Sequence, residues 1–414
     1  MKKRCLIINC HGMKFNGGIE QYFYDLVKIL IEDDNVRIVW LLDKRRAICD
    51  SFKDLFVNKR LQIVDVKSTG LYWFKYDFFD LRVYEDNVIL SFTPVNMAMA
   101  LSIAEKNKDC DIKCFYCLPN TTGDAYFIEN FFYGCAYKYV KREMSLIHKK
   151  WVNNDAIRYF SYNHIGALAN NYSLSIVPDT IKCLPAVTKM PLFPLDTILN
   201  KLTSENFNII SVSRFDFPHK GYLLGLIRSF GKLWETHKNI KLYIIGHGQH
   251  KEQVLSEINK LSNGAKANVI LLGQVGKNDI GRYMAQAHLN IGVAGGVGCG
   301  AIYGVPSIPA RNFCYEGCEV YGLLPQSYMK TTSIEPGEDV IPYIDYFISL
   351  GKDDYIKECY NSYNAYLGRY SNYNPYYFFE QNSTIADCDN KHDIRFIKWF
   401  SILYRFINKI KNIL

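Results

Sequence analysis

FNIISVSRFDFPHKGYLLGLIRSFGKLWETHKNIKLYIIGHG, residues 207–248, decides the fold. Phe207–Ser213 reads as a buried strand, a loop follows, Tyr222–His237 reads as a helix, and Lys241–Ile245 reads as the next strand. The rhythm continues with a helix near Gln249–Leu261, a strand at Asn268–Leu272, a helix near Asp279–Gln286 and a strand at Leu289–Val293. Strands alternating with helices imply a mostly parallel sheet with crossover helices. The pattern also runs upstream. Arg4–Cys10 is a strand candidate, His11–Gly18 a loop, and Ile19–Ile31 carries Ile19, Tyr22, Phe23, Leu26, Val27 and Leu30 at helical spacing. Further strands are expected at Val36–Leu42, Leu61–Val66, Val88–Phe92 and Ile112–Cys117, with a helix at Pro94–Glu105.

Between Leu184 and Leu202 the rhythm lapses, and Pro185, Pro191 and Pro194 suit neither a helix nor a central strand. The expected organisation is therefore a first α/β domain over 1–190, a linker over 191–205, a second α/β domain over 206–375 and a C-terminal region over 376–414. Two domains also follow from the length of 414 residues, too many for one ordinary core.

With 49% apolar and 22% charged residues the chain has a globular composition. Its net charge of +8 is a mild excess that favours an anionic partner without indicating nucleic acid. Thirteen cysteines scattered through apolar runs read as reduced, buried thiols, which points to the cytoplasm. Cys114 and Cys117 form a lone CxxC inside a strand-like run and read as core thiols rather than a zinc or redox pair. Asp109-Cys110-Asp111 and Asp387-Cys388-Asp389 fit a short metal-binding pattern but read as solvated turns, so no metal and no cofactor is expected. The apolar run of the N-terminus is too short for a signal peptide, and no segment has the length of a membrane span.

Three features carry chemistry. Arg214 follows a strand and Lys220 precedes the next helix, at the carboxyl edge of the sheet where α/β proteins bind ligands. Arg grips two phosphate oxygens in a fork, and Lys adds a compact charge. The plain alternative is a solvated loop with two incidental cations. Gly246 and Gly248 close the next strand and permit close backbone approach. Gly292, Gly295, Gly296, Gly298 and Gly300 follow a later strand, in a loop that could lead into a helix N-terminus and so form an anion site, or be a close-packed turn.

The order and spacing of these features resemble the family 4 glycosyltransferases, whose GT-B fold sets two Rossmann-like domains face to face. The resemblance is carried by SVSRFDFPHKG, LYIIGHGQHKEQV, VILLGQVGKNDIGRYMAQAHLNIGV and YGVPSIPA over residues 205–325, and by NGGIEQYFYDLVKIL near the N-terminus. It implies a metal-independent, retaining transfer from a nucleotide sugar, which is a substrate and not a cofactor. Arg214 and Lys220 would act on the donor diphosphate as catalytic residues. Gly17, Gly18, Gly246, Gly248, Gly296 and Gly298 would press backbone against the donor. His11, Asn120 and Asp124 are the acceptor-side candidates. The family's paired glutamates are not matched: counting back from Gly304-Val305-Pro306, they fall near Ile291 and at Cys299, and the downstream Glu319 is the substitute candidate. The acceptor implied is a bacterial surface polysaccharide (capsule, O-antigen or lipopolysaccharide) or a lipid-linked saccharide. A non-catalytic partner subunit with the same fold and a related nucleotide-sugar enzyme such as an epimerase are the alternatives.

The last stretch, Lys391–Leu414, sets Lys391, Arg395, Lys398, Arg405 and Lys409 along one stripe at helical spacing. Phe396, Phe400, Leu403, Tyr404, Ile407 and Ile410 lie on the other. It reads either as a helix on an anionic membrane surface, with the protein peripheral to the inner face of the membrane, or as a brace packed on the first domain.

Overall fold

The computed structural model describes residues 3–12, 18–67, 81–118, 134–159, 168–169, 172–174, 182–371 and 373–411. The chain forms two compact units: Met1–Thr188 with Tyr373–Leu414, and Lys189–Asn372.

The first unit is built on six parallel strands, β1 (Arg4–Asn9), β2 (Val36–Leu42), β3 (Leu61–Asp65), β4 (Asp86–Ser91), β5 (Ile112–Leu118) and β6 (Ile157–Tyr159), in the order β3-β2-β1-β4-β5-β6. Because side chains alternate along a strand, Cys5 and Ile7 of β1 enter the core on one face while Leu6 and Ile8 enter the other. A parallel sheet covered on both faces explains why the central strands β1 and β4 are buried along nearly their whole length rather than at alternate residues. The same alternation separates Cys114 from Cys117, which lie in the cores on opposite faces, so the CxxC is not a pair. Burial raises the Cys114 thiol to about 12 and raises Cys117 as well, leaving both protonated.

The helix Pro94–Lys106 starts at Thr93, whose hydroxyl accepts the Asn96 N–H at 3.1 Å, with proline in the first turn. Its run Met97-Ala98-Met99-Ala100-Leu101 is wholly buried. It has no polar face there because the C-terminal helix, Lys391–Lys411, packs against it. Ile394, Phe396, Ile397 and Phe400 of that helix belong to the core of the first unit, with Leu403 packed beside them. Of the two readings of this helix, the brace on the first domain is the one that holds for Phe396 and Phe400: over these turns the apolar stripe is covered by protein. The tail leading to it also clasps this unit. Phe378 and Phe379 are buried, Lys113 Nζ donates to the Phe379 carbonyl at 2.7 Å, and Tyr376 Oη donates to Asp33 at 2.9 Å.

The second unit contains β7 (Phe207–Val212), β8 (Ile240–Ile245), β9 (Val269–Gly273), β10 (Leu289–Gly292) and β11 (Ser307–Pro309), all parallel in the order β11-β10-β7-β8-β9. The crossover helices are Tyr222–Thr236, Lys251–Asn259, Lys277–Met284 and the short Gly295–Ala301. Where a linker over 191–205 was expected, a helix, Leu195–Lys201, begins directly after Pro194 and buries Ile198 in the second unit's core. Proline stops helices internally but suits a helix start, which is how it is used here. Beyond Pro306 the rhythm gives way to a two-stranded ribbon, β12 (Glu319–Val320) with β13 (Glu338–Asp339), and to the helices Ile341–Ser349 and Lys352–Ser371.

Candidate functional site

Parallel strands deliver their following loops to one edge of the sheet. In the second unit the strand order reverses direction between β7 and β10, the kind of crevice where open α/β sheets bind ligands. Gly296 stands at that crevice. A side chain on it would come within 2.5 Å of the Val212 carbonyl at the end of β7, so only glycine lets the loop after β10 lie there.

Arg214 leaves β7 half-exposed, its guanidinium 4.0 Å from the Asp216 carboxylate. The chain then tightens, with the Lys220 N–H donating to the Asp216 carbonyl at 2.7 Å, before the helix Tyr222–Thr236 begins. That turn places the Lys220 side chain inside, 9% exposed, with no ion pair or hydrogen bond to any described residue. Burial, reinforced by Arg214 and opposed by Asp216, lowers its ammonium from the ordinary 10.5 to about 8. His219, the residue before it, is lowered to about 4, mainly by burial, and is neutral near pH 7. Its Nδ1 is 3.9 Å from Asp216. A buried cation with a second cation beside it is electrostatically incomplete, and an anion is the group that completes it.

The loop after β8 holds this turn in shape. The Phe215 N–H donates to the His247 carbonyl at 2.9 Å, and the Phe217 N–H donates to His250 Nδ1 at 3.0 Å. Gly246 makes the approach possible, since a β-carbon there would meet the Ser213 carbonyl at 1.8 Å, and one at Gly248 would meet the Phe215 carbonyl at 2.6 Å. These two glycines thus shape the cation-bearing turn. Gly298 has a different neighbour: its α-carbon faces the Tyr366 ring of the helix Lys352–Ser371, which a side chain would meet at 2.8 Å.

Glu319, the substitute candidate, has partners within the second unit. Both its oxygens accept from Arg311 Nη1, at 2.9 and 2.8 Å, and the Gly337 N–H donates to it at 2.8 Å. The Gly337 N–H and then Arg311 hold its pKa below the ordinary carboxylate value, and the carboxylate ties the β12–β13 ribbon together. At the positions where the family's paired glutamates would stand, Ile291 is a buried residue of β10 and Cys299 lies within the helix Gly295–Ala301.

The first unit has its own reversal point, between β1 and β4. His11 sits there, its Nε2 2.9 Å from Asn9 Oδ1 and 3.2 Å from Asn96 Nδ2, while Asn9 Nδ2 donates to the Asn96 carbonyl at 2.7 Å. Gly18 opens the helix Gly18–Leu30. Gly17, Asn120 and Asp124 lie outside the described residues. Among the described residues no group of three or more His, Cys, Asp and Glu is placed to hold a metal ion, and no helix is long and apolar enough to cross a membrane.

Asp216, His219 and His250 were not singled out by the sequence reading. The signal for the first two was their position between Arg214 and Lys220; for His250, 36 residues beyond Arg214 in the chain, only the β7–β8 pairing reveals its part.

Two Rossmann-like units with mostly parallel sheets define the class: this is a GT-B fold. Residues 197–291 match the model of the family described as glycosyl transferases group 1. No curated protein sequence matches it. Among solved structures it is similar to HepE of Anabaena in complex with UDP and glucose, at 14% identity and a TM-score of 0.56, over 92% of this chain and 98% of that one. The N-terminal domain of Candida albicans trehalose-6-phosphate phosphatase is similar over 92% and 96% of the two chains, at 10% identity and a TM-score of 0.54. The lipopolysaccharide outer core galactosyltransferase WaaB in its apo form is similar over 91% and 99%, at 12% identity and a TM-score of 0.51.

Proposed function

We propose that this protein transfers a sugar from a nucleoside-diphosphate sugar to a saccharide or lipid-linked saccharide acceptor in surface-polysaccharide assembly, without a metal ion. In that reaction the bond between the anomeric carbon and the diphosphate oxygen breaks and a bond to an acceptor hydroxyl forms. The hydroxyl proton ends on the departing diphosphate. Negative charge grows on the leaving group, so fixed cations in a water-poor site accelerate the step. The observation that carries this reading is Lys220: buried, without a side-chain partner among the described residues, and beside Arg214 at the reversal point of a parallel sheet. The UDP and glucose in HepE and the role of WaaB in lipopolysaccharide outer core synthesis support the choice of donor and acceptor class.

The test is nucleotide release from a panel of nucleotide sugars, with bacterial membranes as the acceptor source and a chelator present. Turnover with at least one donor is expected, and Arg214→Ala and Lys220→Ala should each lower it roughly 100-fold or more, as removal of one charge-stabilising donor typically does. Unaltered rates in both variants would remove the phosphate assignment. Strict dependence on added divalent metal would remove the metal-independent reading. A second reading, a non-catalytic subunit, is favoured by one observation: hydrophobic Ile291 and Cys299 stand where the family's carboxylates would be. Donor binding without turnover with any donor would select it.

A further inference from the structure

The charge of this molecule is concentrated on two neighbouring helices of the first unit. Gly134–Asn153 and Lys391–Lys411 together carry eleven lysines and arginines against two acids, a net +9, whereas the whole chain is +8. The rest of the chain therefore sums to −1. Neither acid offsets the surface charge freely. Glu143 is buried between Arg142 and His392, and Asp393 is buried against Lys150. The contacts of His392 with Glu143 and of Lys150 with Asp393 also hold the helices side by side.

Among the cations stand large apolar side chains facing solvent. Tyr139 (46% exposed) and Leu146 (55%) lie on one stripe of the first helix, with Arg142 between them; Trp399 (48%) and Ile402 (46%) lie on one stripe of the second, with Arg395 one turn before. The stripes belong to one surface, because the rings of Tyr139 and Trp399 lie 6.0 and 5.9 Å from the buried Phe396 ring. The guanidinium of Arg142 sits over the Tyr139 ring at 5.7 Å. Phe396 and Phe400 of the apolar stripe read from the sequence take no part in this surface, since they are inside the core.

We infer that this two-helix face binds the surface of an anionic lipid bilayer, with Tyr139, Leu146, Trp399 and Ile402 entering the interface and the basic side chains meeting the headgroups. Cations alone would fit any polyanion. The exposed apolar groups interleaved with them select a bilayer, where an aromatic ring sits at the headgroup level and an aliphatic side chain gains by leaving water. The inference stands independently of the donor site in the second unit.

Sedimentation of the full-length protein with vesicles tests it. With vesicles of phosphatidylcholine containing about a third phosphatidylglycerol, binding is expected at least tenfold tighter than with phosphatidylcholine alone, and weakened by raised salt. Trp399→Glu combined with Leu146→Glu should lower binding at least tenfold while leaving thermal unfolding and nucleotide binding as in the wild type, since all four stripe residues are solvent-exposed. Arg395→Glu combined with Arg142→Glu should abolish the preference for anionic vesicles. Equal binding to both vesicle types, unaltered binding by the variants, or retention by an acidic polysaccharide such as heparin without vesicle binding would each overturn the inference.

Discussion

Lys220 shows what a single residue adds to a motif. The sequence places a lysine six positions after Arg214, a spacing that fits either a phosphate grip or a solvated loop. Its burial, without a side-chain partner among the described residues, favours the first, and burial is a property of the turn that Gly246, Gly248 and His250 hold in place. The same limit applied to Glu319, whose spacing made it a substitute for the missing carboxylates although Arg311 and Gly337 already hold it. A pairing across the β12–β13 ribbon leaves no trace in linear spacing. The lowered Lys220 value has a measurable consequence. Its charge is present below about pH 8 and lost above it, so affinity for a nucleoside diphosphate should fall several-fold as the pH is raised from 7 to above 9. Stability of the ligand-free protein carries the opposite sign from this group. The folded value lies below the unfolded one, so the buried charge opposes folding below about pH 8 and that opposition is relieved toward 10.5. Affinity should stay level over the same range in Lys220→Arg, whose guanidinium keeps its charge; a parallel fall in both proteins, measured by calorimetry, would assign the pH effect elsewhere.

Among elements, strands were the most legible. β1, β2, β4, β5, β7 and β8 are predominantly apolar runs, interrupted by isolated polar residues such as Arg37, Lys113 and Lys241, and each forms where such a run stands. The C-terminal helix was legible as a helix, but not in its fate. Amphipathic spacing states that one face is covered and is silent on whether protein or lipid covers it. The blandly apolar Met97–Leu101 stretch held the missing half of that information, because a helix buried on every side needs a second layer over it, and Lys391–Lys411 supplies that layer. The two faces of the terminal helix should therefore respond differently to substitution. Ile397→Ala, in the core, is expected to cost about 2–5 kcal/mol of stability, whereas the exposed Trp399→Ala should cost within about 0.5 kcal/mol. Thermal and denaturant unfolding measure both. Equal small effects at the two positions would show that the helix is not part of the core.

At the scale of the whole molecule, two sheets share one principle: each reverses its strand order beside its first strand, and each brings polar side chains to that point. In the first unit these are Asn9, His11 and Asn96, and in the second Arg214 and Lys220 with Asp216 and His219. The alternation of strands and helices made both sheets readable from the sequence. The return of the chain to the first unit at Tyr373 was less so, because the aromatic segment around Phe378 and Phe379 has no periodicity that names its partner. The central claim concerns the cations of the second unit, and calorimetric titration of the tightest-binding nucleoside diphosphate tests it most directly, with the matching nucleoside as the reference ligand. Lys220→Ala should bind the diphosphate at least tenfold more weakly than the wild type while binding the nucleoside equally well. Equal diphosphate affinity in the two proteins, or an equal loss for the nucleoside, would contradict the assignment of Lys220 to the phosphates.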